Sequence, residues 1–154
     1  MTHVQLDFTS SADFVVENVV AETDRVVVVA RSAYKAAICP CCNRLSRRLH
    51  SSYTRRLRDT PWGGIPVVVE ATVHRWCCDT PDCPRKIFCE RLPEMAPAYA
   101  RRTSAFTERV AQIGWEAGGE GTSRIARAIG LPTSGDTVLR FCVRRRRSRP
   151  HLPG

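Results

Sequence analysis

Cys39-Pro40-Cys41-Cys42 and, further along, Cys77-Cys78-Asp79-Thr80-Pro81-Asp82-Cys83 are the stretches whose reading decides the fold. Each brings cysteines together within a few residues, so one short loop can wrap two ligands round one ion. Cys39 and Cys42 form a C-x2-C pair, and Cys78 and Cys83 form a C-x4-C pair. Zinc takes four thiolates in a tetrahedron, and a structural site leaves no open position. Pro and turn-forming residues in both loops suit a bend. Spacing alone leaves the register open at each doublet: Cys41 can stand in for Cys42, and Cys77 for Cys78. Eight cysteines in such pairs read as metal ligands in a reducing cytosol rather than as disulfides. The opening Met1-Thr2-His3-Val4-Gln5-Leu6-Asp7 has no basic and apolar leader pattern, and no apolar run has the length of a membrane span. The expectation is an intracellular protein with no membrane partner.

Upstream of the first loop, Val15–Val20 and Val26–Ala30 are β-branched runs separated by Glu22-Thr23-Asp24. They predict a β-hairpin leading into the first cysteine pair. Between the loops, Ser46–Arg58 alternates, with Leu49, Ser51 and Tyr53 on one face and Arg48, His50 and Ser52 on the other. The segment 59–66 should turn the chain, Val67–Trp76 is the next strand, and 86–92 is a third short one. So small a sheet would bury little apolar area and lean on its metal for stability.

The chain carries a net charge of +9, with 24 basic residues, of which all but Lys35 and Lys86 are arginine. Residues 1–38 sum to −2, residues 39–100 to +4 and residues 101–154 to +7. Arginine suits bidentate phosphate contact, although a GC-rich genome also supplies it. A basic carboxy-terminal half points to nucleic acid. Arg47, Arg48, Arg55, Arg56 and Arg58 cluster beside Tyr53, and Arg47, Arg48, Arg55 and Arg56, together with His50 on the same strand, are candidate backbone contacts.

After Pro93–Pro97, read as a linker, helix periodicity begins. Phe106, Val110, Ile113 and Ala117 predict a helix over 103–117, ended by Gly118-Gly119-Glu120-Gly121. Thr122 should cap a second helix over 123–129, with Ile125, Ala128 and Ile129 inward. Ser134 should cap a third over 135–145, with Val138, Leu139 and Cys142 inward. This order is that of a helix-turn-helix unit, whose last helix enters the major groove. Thr133, Gly135, Asp136, Arg140 and Arg144 would then face DNA, and Arg145 and Arg146 would meet phosphates. Asp136 suits a cytosine amino group or the helix cap.

Taken together, Cys39-Pro40-x-Cys42, Ser46, His50-Ser51-x-Tyr53-x-Arg55 and Asp59-x-Pro61-x-Gly63-Gly64-x-Pro66-Val67 resemble a known family. Arg75-x-x-Cys78, Cys83-Pro84-Arg85-x-x-Phe88-x-Glu90-Arg91 and Ser134-x-Asp136-Thr137-Val138-Leu139-Arg140 extend the likeness, over roughly residues 25–145. The pattern is similar to the amino-terminal region of bacterial insertion-sequence transposases of the ISL-three family. The resemblance implies a zinc-binding domain followed by a helix-turn-helix domain. It assigns Cys39, Cys42, Cys78 and Cys83 to a structural zinc ion and leaves Cys41, Cys77, Cys89 and Cys142 outside the ligand set. Asn43 stands where the family tends to have glycine, and Asn tolerates left-handed geometry.

The expected fold is therefore α+β. Residues 1–38 form an amino-terminal segment with a hairpin, and 39–92 a small antiparallel zinc-ribbon-like domain. Residues 93–102 are a linker, 103–146 a three-helix helix-turn-helix domain, and 147–154 a basic disordered tail. The resemblance implies binding of double-stranded DNA at insertion-element ends in the bacterial cytoplasm, at the nucleoid. The carboxylate triad that family members use to hold divalent metal finds no counterpart here, so no transposase chemistry is expected of this polypeptide alone. A homodimer or a separate catalytic transposase chain are the further partners implied. The rival readings are a protein-interaction or oligomerisation module and one chain of a split transposase.

Overall fold

The computed structural model describes residues 13–92 and 95–148, with side chains described as far as Arg144. The expectations for 1–12, for the tail beyond Ser148 and for the Arg145 and Arg146 side chains lie outside the described residues. The elements are strands β1 (Phe14–Ala21), β2 (Val26–Ser32), β3 (Ala37–Ile38), β4 (Leu45–Ser46), β5 (Leu49–Trp62), β6 (Ile65–Cys77) and β7 (Ile87–Cys89), then helices α1 (Ser104–Ala128) and α2 (Gly135–Ser148).

The predicted amino-terminal hairpin forms, with Phe14 opposite Ser32 and Ala21 opposite Val26. It does not stand apart from the ribbon. β2 pairs in parallel with β6, Val26 opposite Val67 through Arg31 opposite Thr72, giving the order β1-β2-β6-β5. β5 runs antiparallel along the other edge of β6. β7 pairs with the end of β6, Arg75 to Cys77, so β2 and β7 take successive stretches of the same edge. The turn between β5 and β6 is tighter than the sequence suggests. β5 continues through Pro61 to Trp62, which pairs with Ile65, and Gly63 and Gly64 supply the turn at φ 56° and 86°. Two consecutive positive φ values are what a two-residue hairpin turn matching strand twist requires.

The merged sheet has a real core, which corrects the expectation that so small a sheet would bury little. Val28, Ala30, Leu57, Val67, Val69, Ala71 and Val73 share one pleated face and are all nearly inaccessible. Leu92, Met95 and Ala96 pack on the same face. The segment that reads as a linker is therefore partly core, because an apolar Leu-x-x-Met-Ala run covers a face that would otherwise meet water. Arg55 fixes it, donating from Nη2 to the carbonyls of Pro97 (3.0 Å) and Ala100 (2.9 Å). The backbones of Arg58 and Arg101–Thr103 then exchange hydrogen bonds beside the edge of β5.

The described residues hold two helices, not the expected three. The glycine stretch breaks α1 only at Gly118 (φ 64°, ψ −178°), and the helix resumes at once. One residue suffices, since a glycine reaches that conformation without a Cβ clash. The break resets the phase of the buried stripe. Phe106, Val110, Ala111 and Gly114 are buried before it, and Thr122 and Ala126 after it. Thr122 is an interior helical residue rather than a cap. Ile125 and Ile129, expected inward, are 44% and 43% exposed, and Ala128 is exposed too. On α2, Val138 and Phe141 are buried, whereas Leu139 is 54% exposed. α1 and α2 approach closely at Gly114, where a Cβ would stand 2.7 Å from Val138 Cγ1 and 2.8 Å from Cys142 Sγ.

Candidate metal centre

The first cysteine pair lies between β3 and β4. Cys39 N–H donates to the Arg44 carbonyl and Asn43 N–H to the Cys39 carbonyl, both at 2.9 Å. Asn43 takes the left-handed conformation, φ 56°, that the loop needs at this point. The second pair lies between β6 and β7, with Cys78 N–H donating to the Lys86 carbonyl at 2.8 Å. The two loops are tied together by Cys77 N–H to the Arg48 carbonyl (2.9 Å), by the Ser46 hydroxyl to the Cys77 carbonyl, and by an Arg48–Asp79 ion pair (2.7 Å).

This scaffold gathers the Sγ atoms of Cys39, Cys42, Cys78 and Cys83 within 4.8 Å of one another. Cys39 and Cys83 are 3.9 Å apart and Cys42 and Cys78 are 3.6 Å apart. A tetrahedron of Zn–S bonds of about 2.3 Å places its sulfurs about 3.8 Å apart. The set therefore has the size and the soft-donor chemistry of a closed four-thiolate zinc site. Cys39, Cys78 and Cys83 are buried, with Trp76 and Phe88 packed against them. Trp76 is steadied by Glu90, whose carboxylate accepts from Trp76 Nε1 (3.3 Å) and from the His74 N–H (2.8 Å).

The thiols are not equivalent. The Thr80 hydroxyl, 3.5 Å from Cys42 Sγ, pulls that thiol down to about 6, with help from the Arg44 backbone. Burial pushes Cys83 up to about 12. Burial also raises Cys39, but the backbone N–H groups of Cys42 and Cys41 outweigh it and leave that thiol below its ordinary value. Thr80 and Glu90 are the contributors that spacing does not reveal. Thr80 lies inside the second loop, which is the one signal that could have drawn notice to it.

The basic candidates separate. Arg47, Arg48 and His50 are exposed beside the metal end, and His50 Nδ1 lies 2.9 Å from the Ser51 hydroxyl. Arg56 is paired with Glu70 at 2.7 Å. Arg55, one pleat away, belongs to the core face, where it holds the Pro97 and Ala100 carbonyls. Beside it Arg75 lies over the Tyr53 ring, 4.7 Å from its centroid. Arg140 and Arg144 are exposed on α2, and Thr133 is half-buried. Gly135 is buried, and a Cβ there would stand 2.7 Å from Glu120 Oε1. Gly135 packs against α1.

Four cysteine sulfurs gathered from two short loops, one between β3 and β4 and one between β6 and β7, define a zinc-ribbon-like cysteine cluster. Residues 35–83 match the family model described as the zinc-finger of transposase IS204/IS1001/IS1096/IS1165, which is the family of the resemblance above. The match runs from just before Cys39 to Cys83 itself, so it contains all four ligands. A structural zinc ion fits both the match and the geometry. Comparison with the curated proteins and with the solved structures returns no match. Among the described residues no helix is long and apolar enough to cross a membrane.

Proposed function

We propose that this chain is a DNA-binding unit of transposase type, which recognises the ends of an insertion element in a bacterial cytoplasm. The observation that carries the reading is the match of residues 35–83 to a transposase zinc-finger. Zinc here holds a platform together, since four thiolates leave the ion no open position for chemistry. The sign of the charge supports the reading, because residues 101–154 sum to +7. So does the layout of the helical unit. Gly118 divides α1 into two segments, and the tight turn at Gly130 (φ 79°) precedes α2. In that reading α2 is the groove helix, with Ser134 accepting from Thr137 N–H at its amino end. Arg140 and Arg144 then meet bases or nearby phosphates, and Asp136 meets a cytosine amino group. Thr133 lies at the entry of that helix. Arg47, Arg48 and His50, with Arg145 and Arg146, contribute contacts to the backbone.

The test is selection of duplexes from a random pool by the zinc-loaded chain, followed by binding measurements on the selected site. Arg140→Ala should cost about 1–3 kcal/mol on the selected site and much less on random duplex. Affinity should fall steeply with added salt. No affinity for any duplex at low salt would remove the proposal.

A further inference from the structure

We propose that Leu139 and Val143 read thymine methyl groups in the major groove. The inference rests on the DNA-binding reading above and adds to it which bases the chain prefers.

α2 has its inner face filled without these two residues. Val138 is fully buried, Phe141 is nearly so, and Cys142 Sγ contacts the Ala111 carbonyl oxygen at 3.7 Å. Leu139 and Val143 are 54% and 53% exposed. Leu139 leans on α1, its Cγ 3.3 Å from where a Cβ on Gly119 would stand, and leaves its tip in water. With Asp136 and Arg140 they fall at positions i, i+3, i+4 and i+7 of one exposed helix face. Leu139 and Val143, one turn apart, make a short apolar strip on this otherwise charged face. Their company identifies the occupant: α2 carries five arginines against the single acidic residue Asp136, so the complementary surface is strongly anionic. The major groove of DNA is such a surface, and the thymine C5-methyl is the one apolar group that it presents to an entering helix. Leu139 and Val143, set beside Arg140, match a methyl flanked by hydrogen-bonding base edges and phosphates. The reading places thymines at the steps under the middle of α2.

Deoxyuridine differs from thymidine only by that methyl. On the duplex selected by the wild-type chain, each thymine is replaced singly by deoxyuridine and affinity is measured with the wild-type chain, Leu139→Ala and Val143→Ala. At one or two positions the replacement should weaken wild-type binding by roughly threefold to fivefold, the loss expected for one buried methyl. Leu139→Ala or Val143→Ala should bind the thymine and deoxyuridine duplexes equally at the matching position, while circular dichroism shows the fold intact. Tolerance of deoxyuridine at every position overturns the inference, as does sensitivity that survives in both variants. Sedimentation showing that the variants turn a dimer into a monomer, with the thymine preference unchanged, assigns the stripe to a second copy and also overturns it. Failure to bind any duplex is a different result: it removes the DNA-binding reading, and this inference with it.

Discussion

Cys42 and Cys83 are shifted in opposite directions, Cys42 toward the thiolate that zinc binds and Cys83 toward the thiol. The signs follow from their ordinary value of 9.0. Cys42, lowered to about 6, stabilises the metal-free fold fully above pH 9, and that contribution is lost as pH falls through about 6. Cys83, raised to about 12, stabilises it below pH 9, and that contribution is lost as pH rises toward 12. Zinc reverses the preference at Cys83, because it binds only thiolate. At pH 7.5 zinc binding should therefore release fewer than four protons, and the number should climb toward four below pH 6. Calorimetry in buffers of different ionisation enthalpy measures this directly; release of all four at pH 7.5 contradicts the Thr80–Cys42 assignment.

At the scale of elements, Thr103 joins the sheet to the helices. Its hydroxyl donates to the buried Asp59 Oδ1 and accepts from Phe106 N–H (3.1 Å), so one side chain caps α1 and satisfies a carboxylate of β5. Thr103→Ala should lower stability by about 1–3 kcal/mol, from a lost cap and an acceptor deprived of its donor. Thr103→Ser should restore most of it; equal denaturation midpoints for all three proteins would contradict the arrangement. The α1–α2 contact makes a second prediction. Gly114→Ala places a methyl against Val138 and Cys142, and such overpacking costs about 1–3 kcal/mol. A melting temperature equal to that of the parent would mean that the helices part easily there. The sequence reading takes Gly118–Gly121 as one long stop and leaves Gly114 unremarked. A glycine inside a helix announces a close approach only when the approaching helix is known.

For the whole molecule, the metal and the helices sit at opposite ends of the β5–β6 hairpin. The thiolate cluster closes around the end of β6. At the other end, the Gly130 turn abuts the hairpin tip, where a Cβ would come within 2.8 Å of the Gly64 carbonyl oxygen. Between them lies a core built from β-strands together with Leu92, Met95 and Ala96, a cluster that includes none of the four metal-site cysteines. A chelator should therefore expose Trp76 and shift its fluorescence while leaving most of the far-ultraviolet helix signal in place. Complete loss of helix on chelation would show that the metal, and not this core, carries the fold.

The cysteine pairs of the metal site were legible because their information is local, whereas the choice of Cys42 over Cys41 and of Cys78 over Cys77 came from the family resemblance. A cysteine pair within one loop needs only a turn, and Asn43 and Pro40 mark the first such turn in the chain itself. The β1–β2 hairpin and the edges of the helical region were legible for the same reason, as runs of β-branched residues and a 3.6-residue period. Three features depend on partners far away in sequence, and only tertiary structure decided them. β2 joins β6 in parallel, and nothing in either strand names its neighbour. Met95 and Ala96 become core because a sheet face lies beneath them. Leu139 is left in water because Val138, Phe141 and Cys142 already fill the contact with α1, and a helix period shows which residues share a face but not where the neighbouring helix stops.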